Sequence, residues 1–260
     1  MNTSKQISQW RIVAASVCGT SHVKNQQLCQ DAHHWQVLAN NVLVIAAADG
    51  AGSAKLGKVG SMIAVETAIE HLSMQEITND ALANDNFLRY LLTNTMLVAR
   101  KAIEMEADAG ENQPQDLATT LILMIAAPKI VAVAQIGDGV AVGKNSMGHL
   151  MALTTPSSGE YINETTFLTS PGAVEAAQIK LWREDIVNVG VLTDGLQMLA
   201  LNMMVGEPHK PFFLPLFEFV ANAEDRILAK EHLQRFLSSE KITQRTDDDL
   251  TLVLAAFGNP

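Results

Sequence analysis

Cysteine is scarce in this chain of 260 residues, where only Cys18 and Cys29 occur. Two are too few for a disulfide framework, and neither CxxC nor a histidine cluster of zinc spacing is present, so both read as reduced and incidental. Basic runs are missing as well. Against 28 Asp and Glu stand 18 Lys and Arg, a formal charge of -10, and no cationic strip could displace counterions from a phosphate backbone. Nucleic acid is therefore not an expected partner. The longest apolar run, residues 42–48, falls far short of the ~18 residues that a membrane-spanning helix needs. No apolar core of a secretory leader stands in the first ten residues. These absences predict a cytoplasmic protein, not associated with membrane, that works on soluble partners. Internal repeats, low-complexity tracts and Pro/Gly-rich linkers are also lacking, which predicts a single domain over residues 1–260.

Apolar material is plentiful, at 48% hydrophobic against 18% charged residues, enough for a large core. Strand signals fall at residues 11–18, 42–48, 119–127, 130–136, 140–144, 149–153, 175–182, 186–193 and 250–257. The connections at 126–129 and 137–139 are hairpin-sized, so the strands flanking each are expected to pair antiparallel. Helical periodicity appears at 57–72, 86–107, 215–223 and 224–237. Strands clustered between an early and a late helix pair predict an α+β sandwich of four layers, two antiparallel β-sheets face to face with helix pairs outside.

The informative feature is where aspartates sit. Three apolar runs end in Asp-Gly, at Asp49-Gly50, Asp138-Gly139 and Asp194-Gly195, and a fourth strand begins with acid, Asp247-Asp248-Asp249. Each Asp-Gly alone reads more readily as an ordinary turn. Brought to one rim, the carboxylates repel unless a cation neutralises them. Oxygen donors without matching histidines or thiolates favour magnesium or manganese, and calcium-loop spacing is absent.

In order along the chain stand Gln30-Asp31-Ala32-His33, Ala48-Asp49-Gly50-Ala51-Gly52-Ser53, Gln135-Ile136-Gly137-Asp138-Gly139, Leu192-Thr193-Asp194-Gly195 and Asp248-Asp249-Leu250-Thr251. This series resembles the metal-dependent protein Ser/Thr phosphatases of type 2C over residues 11–257, and the stretch 159–170 is similar to a bacterial branch of them. The resemblance implies two packed antiparallel sheets with outer helix pairs. It also implies two Mn or Mg ions bridged by Asp49, with the Gly50 carbonyl on one and Asp194 and Asp248 completing the other. Asp31 is then expected to act through hydrogen bonds to water on the metals. The implied reaction is hydrolysis of phosphoserine and phosphothreonine by activated water, with no covalent phospho-enzyme. The implied partners are a phosphorylated protein and a cognate Ser/Thr kinase. No Cys-x5-Arg nucleophile loop competes with this reading.

Four departures from the family pattern carry expectations of their own. Gln26 stands where many members grip phosphate with arginine, leaving His22 and Lys24 as weaker substitutes. Ala51 stands in place of a histidine proposed as general acid, so leaving-group protonation falls to water or to His33. Met198 replaces an acid expected to help Asp138 hold a third ion, which weakens the case for one. Residues 157–176 correspond to a variable substrate-facing flap and name no substrate. Bland readings stand beside these: His33 reads equally, and His34 more readily, as a strand residue facing solvent, and the ligand within 247–249 could shift by one position.

Three rival readings stand beside this one. Gly52-Ser-Ala-Lys-Leu-Gly57-Lys58-Val59 approaches a phosphate-binding P-loop, but Val59 replaces the hydroxyl that holds magnesium. A catalytically weak scaffold or phosphoprotein-binding regulator would explain Gln26, Ala51 and Met198, although it has no need of Asp49, Gly50, Asp194 and Asp248. A hydrolase of small phosphoesters would share the metal centre.

Overall fold

The computed structural model describes residues 9–156 and 165–258. In chain order these form β1 (Gln9–Val17), α1 (Thr20–Lys24), β2 (Asp31–Val37), β3 (Leu43–Asp49), α2 (Gly57–Ser73), α3 (Asn79–Ala83) and α4 (Asp85–Ala109). Then come β4 (Leu121–Ala127), β5 (Ile130–Ile136), β6 (Val140–Asn145), β7 (Leu150–Ala152), β8 (Gln178–Trp182) and β9 (Ile186–Leu192). The chain continues through α5 (Gln197–Ala200), β10 (Leu201–Asn202), β11 (Glu207–Pro208), α6 (Lys210–Ala221), α7 (Arg226–Leu237), α8 (Glu240–Thr243) and β12 (Leu250–Gly258). Among the described residues, no helix is long and apolar enough to cross a membrane.

Two five-stranded sheets carry the fold, in the orders β2-β3-β4-β5-β8 and β1-β12-β9-β6-β7. Neighbouring strands are antiparallel throughout. The two-residue alternation of side chains explains why β3 reads as one apolar run. Val44, Ala46 and Ala48 face α2 and α4, while Leu43, Ile45 and Ala47 face the other sheet. Three apolar layers follow: helices α2 and α4 on the first sheet, sheet on sheet, and helices α6 and α7 on the second sheet. This is the expected four-layer α+β sandwich.

Several local expectations need correction. The strand β2 was not among the predicted ones, because this edge strand alternates with polar residues and leaves His34 and Gln36 exposed. The connection at residues 137–139 is not a hairpin: β5 and β6 lie in different sheets, and the chain crosses between them there. Gly137 makes the crossing at φ +106°, and a Cβ on it would lie 2.5 Å from the Thr120 side chain. The third long helix starts at Lys210, with Pro211 in its first turn and Pro215 inside, where the sequence reading began it at Pro215. The predicted strand at 175–182 shortens to begin at Gln178. By contrast, the turn at Pro128 and Lys129 closes a true antiparallel pair, Ala127 opposite Ile130.

Ile45 is fully buried between the sheets, so Ile45→Ala should cost about 2–5 kcal/mol of stability. Urea unfolding should show a lower midpoint at unchanged slope, and a loss below about 1 kcal/mol would contradict this packing.

Candidate active site

Strand directions bring the acids to one rim. In the first sheet β3 ends at Asp49, directly opposite Asp31 at the start of β2. Strand β5, parallel to β3 across β4, leads to Asp138 at the same end. In the second sheet Leu192 pairs with Leu252, so Asp194 just after β9 and Asp248 just before β12 also share an end.

The backbone around Asp49 is held from several sides. Its N–H donates to Thr120 Oγ1 at 2.9 Å, and its carbonyl accepts from the Thr119 hydroxyl at 2.8 Å and the Thr120 N–H at 2.8 Å. At Gly50 a Cβ would stand 2.3 Å from the Gly57 carbonyl oxygen, so the turn admits no side chain where α2 starts. The two sheets are joined at the rim by a hydroxyl. Thr193 Oγ1 donates to Asp31 Oδ2 at 2.7 Å and accepts from the Thr251 N–H at 3.0 Å. The other oxygen, Asp31 Oδ1, is buried and has no hydrogen-bond partner among the described residues.

The electrostatics follow from burial and crowding. Burial pushes Asp31 up to about 8, the Thr193 and Thr251 hydroxyls counteract it, and Asp249 and Asp194 add repulsion. Asp49 is raised well above the ordinary carboxylate range by burial and then by the charges of Asp31, Asp194, Asp248 and Asp138. Asp194 rises to about 7, through burial and repulsion from Asp138 and Asp248, against hydrogen bonds from Asp49 and Gly195. Burial also raises Asp248, with the Asp249 N–H opposing it. Five mutually repelling carboxylates and one orphaned buried oxygen suit a divalent cation. A donor set of carboxylate and carbonyl oxygens fits Mg or Mn.

Other sequence candidates stand apart from this cluster. His22 Nδ1 lies 2.9 Å from Asp249 Oδ2 with its side chain only 14% exposed, so it is engaged inside the loop instead of facing a phosphate. Lys24 is exposed on α1, and Gln26 is exposed with a left-handed φ of 56°. His33 occupies the inter-sheet side of β2, where Nδ1 meets Ser16 Oγ at 2.8 Å. Burial lowers it to about 4, with the charges of Lys230 and His34 adding to the effect. A neutral, bonded imidazole is a poor proton donor, which counts against the general-acid expectation. Asp138 Oδ2 accepts from the Thr165 hydroxyl at 2.7 Å, and Met198 is 69% exposed. Residues 157–164, which include part of the predicted flap and part of the bacterial-type stretch, lie outside the described residues.

Sequence reasoning left several site residues without roles. Thr193 and Thr251 lie within two residues of Asp194 and Asp249, yet nothing in a linear sequence shows that one hydroxyl spans two sheets. Asp249 is buried and anchors the loop after β1, accepting from the Gly19 N–H at 2.6 Å and the Gln30 N–H at 2.5 Å. Lys58, in the first turn of α2, is half-buried, and its charge acts on Cys18 at the same rim.

Residues 18–238 match the model of the family described as protein phosphatase 2C. The chain is 40% identical over 255 residues to serine/threonine-protein phosphatase 3 of Escherichia coli (strain K12), covering 95% of this chain and 98% of that protein. Its fold is similar to that of the serine/threonine phosphatase Stp1 from Staphylococcus aureus, with TM-score 0.65, 16% identity and 95% of each chain covered. It is likewise similar to the catalytic domain of the serine threonine protein phosphatase PstP, solved with two manganese ions, with TM-score 0.62, 17% identity and coverage of 96% and 99%.

Without metal, Asp31 and Asp194 hold their protons more tightly folded than unfolded, so their contribution is fully present below pH 3.8 and lost as pH rises through about 7 to about 8. Measured in EDTA, Asp31→Asn should therefore gain stability relative to wild type between about pH 5 and about pH 8. A stability difference that stays constant over that range would exclude the raised carboxyl.

Proposed function

The chain belongs to the protein phosphatase 2C family, and on that premise we propose that it is a metal-dependent protein phosphatase hydrolysing phosphoserine and phosphothreonine. The observation that carries this reading is the rim of five carboxylates drawn from both sheets and acting on one another. Asp49, the Gly50 carbonyl, Asp194 and Asp248 would hold two Mn or Mg ions. The oxygen-only donor set supports that assignment, as does the similarity to a phosphatase structure described with two manganese ions. When bound, two such ions acidify a water, align it with phosphorus and offset charge on the phosphoryl oxygens.

The chain's own residues do the positioning. Asp31 is fixed through Oδ2 by Thr193, which leaves Oδ1 to accept a hydrogen bond from the attacking water. Thr119 and Thr120 hold the backbone that presents Asp49. Ser16 joins His33 to Thr251, with Oγ to Oγ1 at 2.6 Å. The imidazole thus braces the strand ends behind Asp31, and leaving-group protonation falls to water. The proposal extends to two ions and not a third, because Met198, four residues after Asp194, offers no oxygen. Lys58, half-buried at the start of α2, takes the place of the missing phosphate-gripping arginine, with the exposed Lys24 of α1 as the weaker candidate. The partners are a phosphorylated protein and the kinase class that phosphorylates it.

Hydrolysis of p-nitrophenyl phosphate and of a phosphothreonine peptide, each with Mn, Mg or EDTA, tests the reaction. Activity should need metal and fall by more than about 100-fold in Asp49→Asn and Asp194→Asn. A folded, metal-loaded wild type that hydrolyses neither compound would overturn the proposal in favour of a binding scaffold. Lys58→Ala should raise KM for the peptide several-fold more than it lowers kcat, while Lys24→Ala should have the smaller effect. Equal KM effects would remove Lys58 from phosphate binding.

A further inference from the structure

Cys18 is not isolated in the fold. Strand β1 ends at Val17, opposite Leu250 of β12, and this register carries Cys18 beside Asp249. One helical turn on, α1 returns His22 to the same point. The result is a group of three possible ligand atoms, Cys18 Sγ, one His22 ring nitrogen and one Asp249 carboxylate oxygen, all within 4.8 Å of one another. Asp249 is buried, whereas Cys18 and His22 are half-buried and leave an approach from solvent. We propose that Cys18, His22 and Asp249 form a binding site for a thiophilic divalent cation of the zinc class, separate from the aspartate cluster.

The donor chemistry distinguishes the two sites. The aspartate cluster offers only oxygen, which suits Mg and Mn. Thiolate, imidazole and carboxylate together suit Zn or Co, and three protein ligands with water in a fourth position make a familiar open zinc site. The site is also assembled before any ion arrives. Asp249 is oriented by the Gly19 and Gln30 N–H groups at 2.6 Å and 2.5 Å. Both of those bonds can persist with metal bound, since a carboxylate has about four acceptor positions.

Only the contacts to His22 and Cys18 must change. The Cys18 thiol loses its proton to solvent. The His22 proton moves from Nδ1 to Nε2 by exchange with water, freeing Nδ1 to donate its lone pair. The cation with one thiolate, one carboxylate and a neutral imidazole is then electrically neutral, so the half-buried site carries little desolvation penalty. Bound there, the ion would fasten α1, which bears Lys24, to the residue that follows Asp248.

The inference does not depend on the phosphatase reading, and its test reads metal binding directly. Wild-type protein is titrated with Co(II) and then Zn(II) in excess Mg, which keeps the oxygen-donor site filled. One equivalent of Co(II) should produce thiolate-to-cobalt charge-transfer absorption in the near ultraviolet, and Zn(II) should abolish it. Cys18→Ser, with Cys18→Ala as a second variant, should lose the band while keeping its fold by circular dichroism and its Mg-dependent hydrolysis. Zn(II) should also protect Cys18 of the wild type from iodoacetamide, a readout that needs no variant. Absence of the band in wild type, its survival in a folded Cys18 variant, or unchanged alkylation of Cys18 would each overturn the site.

Discussion

Repulsion among buried carboxylates is the constraint that organises this molecule. Asp31 and Asp49 come from one sheet, Asp194 and Asp248 from the edges of strands in the other, and burial with crowding raises the proton affinity of the group. Such a group holds together only if the surrounding protein is rigid enough to resist its own charge. The inter-sheet layer around Ile45, Val133 and Val191 supplies that rigidity. The Thr193 hydroxyl keeps the two rims in register where repulsion is greatest. The outer helices contribute differently. Close approach of α2 to the Gly50 turn fixes the backbone that presents Asp49.

Much of this was legible in the sequence because it rests on repeating local patterns. The run Leu121–Ala127 is apolar throughout and Ile130–Ile136 is broken only by Gln135, the pattern of strands buried on both sides. The Asp-Gly positions at strand ends pointed to the rim before any strand order was known. Features that depend on distant partners were not legible. β2 escaped notice because its outer half is polar and exposed. The crossing at Gly137 looked like a hairpin because a short glycine-containing turn serves either purpose.

Roles within the site divide in the same way. Asp248 and Asp249 are identical and adjacent, and only the three-dimensional setting separates an acid at the rim from one that anchors the Cys18–Gln30 loop. His22 and His33 were sensible candidates by residue type, yet each is occupied by a neighbour remote in sequence, Asp249 for one and Ser16 for the other. The cysteines looked incidental for a similar reason, since the partners that give Cys18 a setting come from the far end of the chain.

The pairing of β1 with β12 has a consequence for the order of assembly. The register joins Gln9 to Gly258, and Ser16 meets Thr251 across a separation of 235 residues. Contacts that close so long a loop carry a large entropic cost and form late. During synthesis the first sheet can gather β2, β3, β4, β5 and β8 while β12 has not yet emerged, and β1 waits without its neighbour. The nascent chain therefore holds Asp31 and Asp49 for a period without Asp248 and Asp249. Its carboxylates meet their full mutual repulsion only when the last strand docks, so folding closes the fold and charges the rim in one event.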